Sequence, residues 1–361
     1  MARILFAPDS FKGSATSQEV SVALSRGWLK VRNNDEIHVI AFADGGEGTL
    51  ASIAATQNES QRISVPAQGA DGRVRSAEWL LINGDTAVIE MASICGITTI
   101  DPLEPLAAHS FGLGQVIAAA CSDRRVKEIY IAVGGSASTD GGVGALSALG
   151  FKFLDNDNCE IALGGGALGQ LSKIVKDSVL ALPERGVKVL VDVQSPLLGD
   201  LGAANVFAPQ KGASPQEVLI LEKGLAHLLS VAGVSDAAGY GAAGGVSFGL
   251  SALWGAKIVS GVETISDLVG LDHQIEVADC VVTGEGAFDS QSFSGKVVGH
   301  VLERAAIFNI PVMIACGVNK NSASTEVISL VDLAHSQEQA MAQSEKWLTE
   351  AGKVLATRFN H

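Results

Sequence analysis

The sequence predicts an α/β protein of two domains, in which a mostly parallel open sheet built from both ends of the chain carries an inserted mixed α/β domain. The chain has 361 residues, more than a single hydrophobic core usually serves. Strand-like and helix-like segments alternate at both ends, whereas short strand-like segments follow one another in the middle. Hydrophobic residues make up 47% of the chain and charged residues 18%, a balance typical of packed globular proteins.

The two ends of the chain carry the pattern of a parallel sheet. Residues 3–7 read as a buried strand, and Thr16 with Glu19 forms a predicted capping box that starts a helix. Residues 37–43 read as the second strand. At the C-terminal end we predict strands at 279–283 and 311–316, a helix at 296–307 and one long amphipathic helix at 337–356.

The middle of the chain predicts a different architecture. Residues 62–65, 74–81 and 86–91 read as short antiparallel strands, and they are followed by a helix at 113–121 and strands at 128–133 and 187–193. We therefore place the parallel domain at 1–62 and 275–361, and the inserted domain at 63–274. The active site is expected in the cleft between them.

Charge and cysteine content exclude several classes of protein. The net charge of −14 argues against a nucleic-acid binder, so any anion site must be built locally from lysines and backbone N–H groups. The five cysteines are widely spaced and form no C-x-x-C pair, which argues against zinc and disulfide frameworks. The first residues lack the apolar region of a signal peptide and no segment reads as a membrane span, so we expect a cytoplasmic location.

The first two predicted strands end in loops suited to phosphate and metal binding. After the first strand, Ser10, Lys12 and Gly13 combine a hydroxyl, a cation and a glycine before a helix, although an ordinary turn would look similar. After the second strand, the carboxylates of Asp44 and Glu47 could hold magnesium, and we assign Gly45 and Gly46 to phosphate or substrate binding. Stabilisation of a helix dipole is the alternative role for Glu47.

Two loops in the middle of the chain carry further candidates. Residues 134–142 hold three hydroxyls and a carboxylate, from which we predict ligand contacts by Ser136 and Asp140. Asp192 follows an apolar strand and is a candidate general base for a substrate hydroxyl, or else a turn acceptor. Lys211 is either a clamp for an anion or a solvated surface lysine. We predict Asp192 and Lys12 as catalytic residues.

The last glycine-rich segment, residues 283–296, precedes a predicted helix. It fails the P-loop pattern, because the first glycine of that pattern would fall on Ser290 and the residue after Lys296 is Val297. We predict that this segment arranges glycines and a lysine around phosphates in another way, with two carboxylates as metal ligands. The phosphate or substrate contacts are Gly284, Gly286, Ser292 and Lys296, and the metal ligands are Glu285 and Asp289.

Two formal motif matches leave rival interpretations. Residues 239–244 match the dinucleotide fingerprint, and residues 245–249 match the nucleophile elbow with Ser247 at its centre. Both patterns require a preceding strand, whereas residues 219–231 read as a helix. A serine hydrolase at Ser247 is therefore the rival enzyme class, and a non-catalytic sugar-acid-binding module is the other alternative.

In this order along the chain, the motifs resemble the type 1 glycerate kinase family. The resemblance rests on residues 8–14, 43–49, 134–136, 207–213 and 283–296. It implies two α/β domains with the site in the cleft, ATP and Mg²⁺ as co-reactants, and D-glycerate phosphorylated at its 2-hydroxyl. Phosphorylation of the 3-hydroxyl or of a related hydroxy acid stays an alternative, and a homo-oligomer stays open. The sequence departs from the family at Thr139 and Ser195, where asparagine is common.

Overall fold

The computed structural model describes residues 1–43, 45–57, 59–293, 296–320 and 327–359. The strands are β1 Arg3–Phe6, β2 Glu36–Val39, β3 Gln61–Gln68, β4 Val74–Ile82, β5 Thr86–Glu90, β6 Glu128–Ala132, β7 Lys152–Leu154, β8 Lys173–Val175, β9 Val187–Leu190, β10 Lys257–Val259, β11 Cys280–Phe288, β12 Val312–Asn319 and β13 Val327–Ser329. The helices are α1 Ser17–Leu29, α2 Thr49–Thr56, α3 Met91–Cys95, α4 Phe111–Ser122, α5 Val143–Ala148, α6 Ala203–Phe207, α7 Pro215–Ala232, α8 Ala242–Phe248, α9 Gly261–Val269, α10 Leu271–Glu276, α11 Val297–Phe308, α12 Leu330–Ala334, α13 Gln337–Ala342 and α14 Ser344–Arg358.

The chain divides into two compact units. Unit 1 consists of Met1–Asp44, Ala51–Gln57 and Val262–His361, and unit 2 consists of Gly45–Leu50 and Asn58–Gly261. The fold class is confirmed, because unit 1 contains a parallel sheet made from both ends of the chain and unit 2 contains a mixed sheet. The predicted domain boundaries and the cleft remain predictions.

The sheet of unit 1 has the strand order β13-β12-β11-β1-β2, and all its pairs are parallel. The chain leaves β1 toward β2 on one side, while β11, the next strand of this sheet, lies on the other side of β1. Such a reversal of strand order is a topological switch point, and loops at the carboxyl ends of the two strands form a crevice there. Residues that follow β1 and β11 are therefore brought together.

Helices cover both faces of this sheet. The predicted capping box is confirmed: Thr16 accepts from the amide of Glu19, whose side chain accepts from the Thr16 amide. Helix α1 packs closely on α14 because Gly27 presents no side chain there, and its Trp28 packs edge-on against Phe6. On the other face, Val298 of α11 joins a smaller apolar cluster.

The prediction of one long helix at residues 337–356 is wrong. Two helices, α13 and α14, occupy this segment, and Gln343 between them has φ −125° and ψ 42°, outside the helical region. Apolar periodicity runs through both helices because both pack on the same core, so the pattern did not reveal the break.

Unit 2 is built on a sheet with the order β10-β9-β6-β5-β4-β3. Strands β3, β4 and β5 pair antiparallel, as predicted, but β5 also pairs in parallel with β6, and β6 with β9. The carboxyl ends of β5, β6, β9 and β10 therefore lie along one edge. In the described part of the chain, no helix is long and apolar enough to cross a membrane.

Candidate active site

In unit 1, the loop after β1 lies against β11 at the switch point. The amide of the buried residue Asp9 donates to the Gly284 carbonyl at 2.8 Å. The Ser10 amide donates to the Asp9 carboxylate at 2.6 Å. A backbone bridge between Phe11 and Ala15 then closes a tight turn.

That turn determines where the predicted catalytic lysine lies. Gly13 adopts φ +81°, a left-handed conformation that glycine accepts without strain, and this lets the chain reverse within three residues. Lys12 is exposed at the tip of the turn, and its amide lies 3.6 Å from the position that a Cβ on Gly286 would take. The turn thus projects a cation beside the end of β11.

Glu285 is the buried acidic group of this cluster. Only 6% of the residue is exposed, and its Oε1 has no hydrogen-bond partner among the described residues. Burial raises the pKa of Glu285, while a hydrogen bond from Ser292 and the charge of Lys296 act in the opposite direction. Lys296 Nζ lies 4.0 Å from Oε2. A buried carboxylate oxygen without a partner is costly unless a ligand completes it.

The remaining predicted residues of segment 283–296 lie around Glu285. The amide of Asp289 donates to Ser292 Oγ at 2.9 Å, which shapes the short helical turn Ser290–Phe293. Gly284 belongs to β11, where a Cβ would come within 2.0 Å of the Ala315 carbonyl. Unit 1 therefore gathers the predicted residues of two loops: Ser10, Lys12, Gly13, Gly284, Glu285, Gly286, Asp289, Ser292 and Lys296.

The carboxylates of unit 1 were tested as a metal site. Among the described residues, no three His, Cys, Asp or Glu side chains are placed to hold an ion together. Mg²⁺, however, usually binds proteins through one or two carboxylates and takes its other ligands from water and substrate phosphates. The unpartnered Oε1 of Glu285 fits that kind of site.

In unit 2, two glycine loops meet at the carboxyl edge of the mixed sheet. The Gly134 amide donates to the Gly45 carbonyl at 2.9 Å. A Cβ on Gly134 would lie 2.7 Å from the Gly46 Cα, so a larger residue would force the loops apart. Glu47 is exposed beside them, and Asp44, the other predicted metal ligand of this motif, lies outside the described residues.

Glu90 is a candidate that the sequence analysis missed. It ends β5 at the same edge, is buried, and accepts a hydrogen bond from the Leu50 amide at 3.0 Å. Burial raises the pKa of Glu90, backbone amides lower it, and the nearby charge of Glu47 raises it further. The signal was available, since Glu90 is a carboxylate at the end of the predicted strand 86–91.

Lys211 is buried, which excludes the surface-lysine alternative. The residue is 3% exposed, and its Nζ donates to Ser136 Oγ at 2.9 Å and to the Ser138 carbonyl at 2.5 Å. Burial lowers the pKa of Lys211 to about 7, and the charge of Asp140 acts against this. The fold thus brings Lys211 to the loop that follows β6, far from it in sequence.

Asp140 organises this loop from within. It is fully buried; Oδ2 accepts from the amide and hydroxyl of Ser110 and from the Gly144 amide, and Oδ1 accepts from the Gly142 amide. A carboxylate that accepts from four donors fixes the shape of the loop, and its negative charge opposes the positive charge of Lys211. The geometry therefore supports a structural role, whereas a ligand contact by Asp140 remains a prediction.

Asp192 lies two residues beyond the end of β9, because that strand ends at Leu190 instead of the predicted residue 193. Its Oδ1 accepts from the Ser260 hydroxyl at 3.1 Å and from the Gly261 amide at 2.9 Å. These bonds orient the carboxylate at the same edge of the sheet as Glu90. They are compatible with both alternatives that the sequence left open, an oriented base and a structural acceptor.

Ser247 has none of the features of a nucleophile. It is fully buried, and its hydroxyl lies within hydrogen-bonding distance of the carbonyls of Gly239, Tyr240 and Ala242, at 2.6, 3.0 and 3.2 Å. A serine hydroxyl that is hydrogen-bonded to the carbonyls of its own turn cannot attack a substrate unless those hydrogen bonds break. The geometry disfavours the hydrolase alternative.

Comparison with known proteins identifies relatives over nearly the whole chain. Residues 4–360 match the model of the "Glycerate kinase family". A glycerate kinase from Haemophilus influenzae is 38% identical over 325 residues, which cover 87% of this chain and 85% of the relative. A glycerate 2-kinase from Escherichia coli is 38% identical over 322 residues, 86% of this chain and 84% of the relative.

A solved structure shares the fold. It comes from Salmonella typhimurium LT2, is described as a candidate glycerate kinase 2, and superposes with a TM-score of 0.79 at 32% identity. The match covers 99% of this chain and 98% of the other.

Proposed function

Because this chain belongs to the glycerate kinase family, we propose that it transfers the γ-phosphoryl group of Mg-ATP to the 2-hydroxyl of D-glycerate. Glycerate phosphorylation, with ATP as the phosphate donor, follows from membership of this kinase family. The choice of the 2-hydroxyl is supported by the name of the Escherichia coli relative. Transfer to the 3-hydroxyl is the alternative.

The observation that carries this proposal is the cluster of unit 1. Phosphoryl transfer needs positioning and neutralisation of charge more than covalent chemistry from the protein. Lys12 and Lys296 supply cations beside the switch point, where α/β sheets bind phosphates, and Glu285 supplies a buried carboxylate. Glu285 and Asp289 would hold Mg²⁺, which neutralises charge on the phosphates when it is bound.

Asp192 is the proposed base. Two donors hold its Oδ1, so the carboxylate keeps a fixed orientation while it receives or orients the proton of the glycerate hydroxyl. The proton leaves the hydroxyl oxygen as that oxygen bonds to the γ-phosphorus, while the bond from this phosphorus to the β,γ-bridging oxygen breaks and ADP leaves. Asp192 lies at the same edge of the sheet as Ser136 and Lys211, which suits a role toward the acceptor.

The test is a product analysis with purified protein, ATP, MgCl₂ and D-glycerate. Proton-coupled ³¹P NMR separates the products, because phosphorus couples to one carbon-bound hydrogen in 2-phosphoglycerate and to two in 3-phosphoglycerate. We expect a doublet, and no product without MgCl₂. A triplet would assign the 3-hydroxyl, and ADP formation that does not depend on D-glycerate or on L-glycerate would refute the proposed reaction.

The proposed metal ligand has its own test. Glu285→Gln keeps the size of the side chain but removes its charge, so the MgCl₂ concentration at half-maximal rate should rise on the order of tenfold, since one charged ligand is lost. Glu276→Gln, a change on helix α10, is the matched control and should leave that concentration unchanged. Identical magnesium dependence in both variants would remove Glu285 from the metal site.

A further inference from the structure

The buried lysine of unit 2 carries an inference about ligand binding. We propose that Lys211 and Ser136 form a receptor for one anionic oxygen group, a carboxylate or a phosphate, and that binding of this group adds a proton to Lys211. The inference rests on the proposed function, because glycerate and ATP are the anions that this function brings to the protein.

The first argument is unused hydrogen-bonding capacity around a buried amine. Among the described residues, Lys211 Nζ has two acceptors, Ser136 Oγ and the Ser138 carbonyl, which match the two N–H groups of a neutral amine, whereas a charged ammonium has a third N–H donor for an anion. The hydroxyls of Ser138 and Thr139 are buried in the same loop and have no hydrogen-bond partner among the described residues. Buried polar groups that lack partners are expensive in a protein without a ligand to satisfy them.

The second argument is the backbone that encloses the amine. Ala243, Gly244 and Gly245 are consecutive residues with positive φ, at 55°, 68° and 88°. A Cβ on Gly244 would lie 3.0 Å from Lys211 Nζ and 2.2 Å from the Ser138 carbonyl. Positive φ is strained for alanine, and such strain concentrates at ligand sites. The lack of a side chain at Gly244 therefore lets this backbone pack against the Ser138 carbonyl and close to the amine.

The third argument is the charge balance. Asp140 is the charged group that acts on Lys211 from its loop, and four donors already share its carboxylate. The enclosing segment, residues 239–249, contributes no charged residue, and Tyr240 is its titratable side chain. Since burial lowers the pKa of Lys211 to about 7, the amine is largely neutral at pH 8. An anion bound beside it favours the charged form and raises this pKa again.

The test is proton uptake measured by titration calorimetry with the whole chain. D-Glycerate is titrated in two buffers with different ionisation enthalpies, at pH 8 and pH 6, and the nucleotide arm uses a non-hydrolysable ATP analogue. Because the pKa of the free amine is about 7 and a bound anion raises it, we expect proton uptake on binding that is larger at pH 8 than at pH 6. The ligand that shows this uptake is the one that Lys211 binds.

Variants separate Lys211 from other groups. Lys211→Arg keeps a permanent cation, so it should bind the ligand with no uptake at pH 8, whereas Lys211→Met should weaken binding by on the order of tenfold or more. Lys223→Met removes an exposed lysine of α7 and should retain full uptake. Melting temperatures check that each variant is folded, and the measurement on the unaltered chain needs no variant.

The outcomes distinguish this inference from the proposed function. Normal turnover of D-glycerate with no proton uptake for either ligand overturns the receptor and leaves the function intact. Uptake that persists in Lys211→Arg also overturns it, since another group then titrates. A third outcome supports the receptor and refutes the proposed function. In that outcome the protein does not turn over glycerate, the ATP analogue causes proton uptake, and Lys211→Arg abolishes this uptake.

Discussion

Asp140 is the residue for which the structure gives the sharpest quantitative expectation. In Asp140→Asn, the amide oxygen can replace Oδ2 and keep its three donors, but the new NH₂ group then faces the Gly142 amide, donor against donor. The opposite orientation is worse, because it turns the NH₂ group toward Ser110 and Gly144. At least one buried N–H therefore loses its partner in either case.

The magnitude follows from the bonds. An unsatisfied buried N–H costs about 1–3 kcal/mol, and each remaining bond falls from about 1.5–3 kcal/mol with a charged acceptor to about 0.5–1.5 kcal/mol with a neutral one. Partial relaxation of the loop reduces the sum, so we expect the free energy of unfolding to fall by about 3–5 kcal/mol. Lys211 would lose its countercharge as well.

The assay is urea unfolding monitored by circular dichroism. The matched control is Asp155→Asn, because Asp155 also accepts from the amides two and four residues ahead, Asp157 and Cys159, but does so near the surface. Water can satisfy those amides, and the control should lose less than about 1 kcal/mol. Equal losses in the two variants, or an unchanged stability of Asp140→Asn with a raised KM for glycerate, would refute the structural role.

Four other substitutions test the remaining assignments. Asp192→Asn removes the basic carboxylate, so turnover should fall by about 100- to 10,000-fold, and it keeps one acceptor oxygen, so the melting temperature should change little. Early unfolding with turnover retained would make Asp192 structural. Lys12→Met and Lys296→Met should each raise KM for ATP or glycerate by on the order of tenfold, whereas exposed Lys30→Met should not. Ser247→Ala should keep full kinase turnover and lose about 1 kcal/mol of stability; labelling of Ser247 by a serine-directed phosphonate would support the hydrolase instead.

Much of the candidate site was predictable because strand ends are visible in a sequence. Apolar runs followed by glycine with a hydroxyl, lysine or carboxylate located the loops after β1, β6 and β11, and parallel strands end at the same edge. Glu90 shows the limit of this reasoning: it ends β5 without a glycine beside it, so the pattern passed over a buried carboxylate.

The sequence by itself determined the fold class, the capping box of α1 and the family, since these depend on local periodicity, local hydrogen bonds and ordered motifs. Only the tertiary structure decided the state of individual side chains. The sequence left Lys211 open between an anion clamp and a surface lysine, whereas its pKa depends on burial and on Asp140, 71 positions away in the chain. Burial and charge pairing arise from packing between distant segments, and local sequence patterns do not encode them.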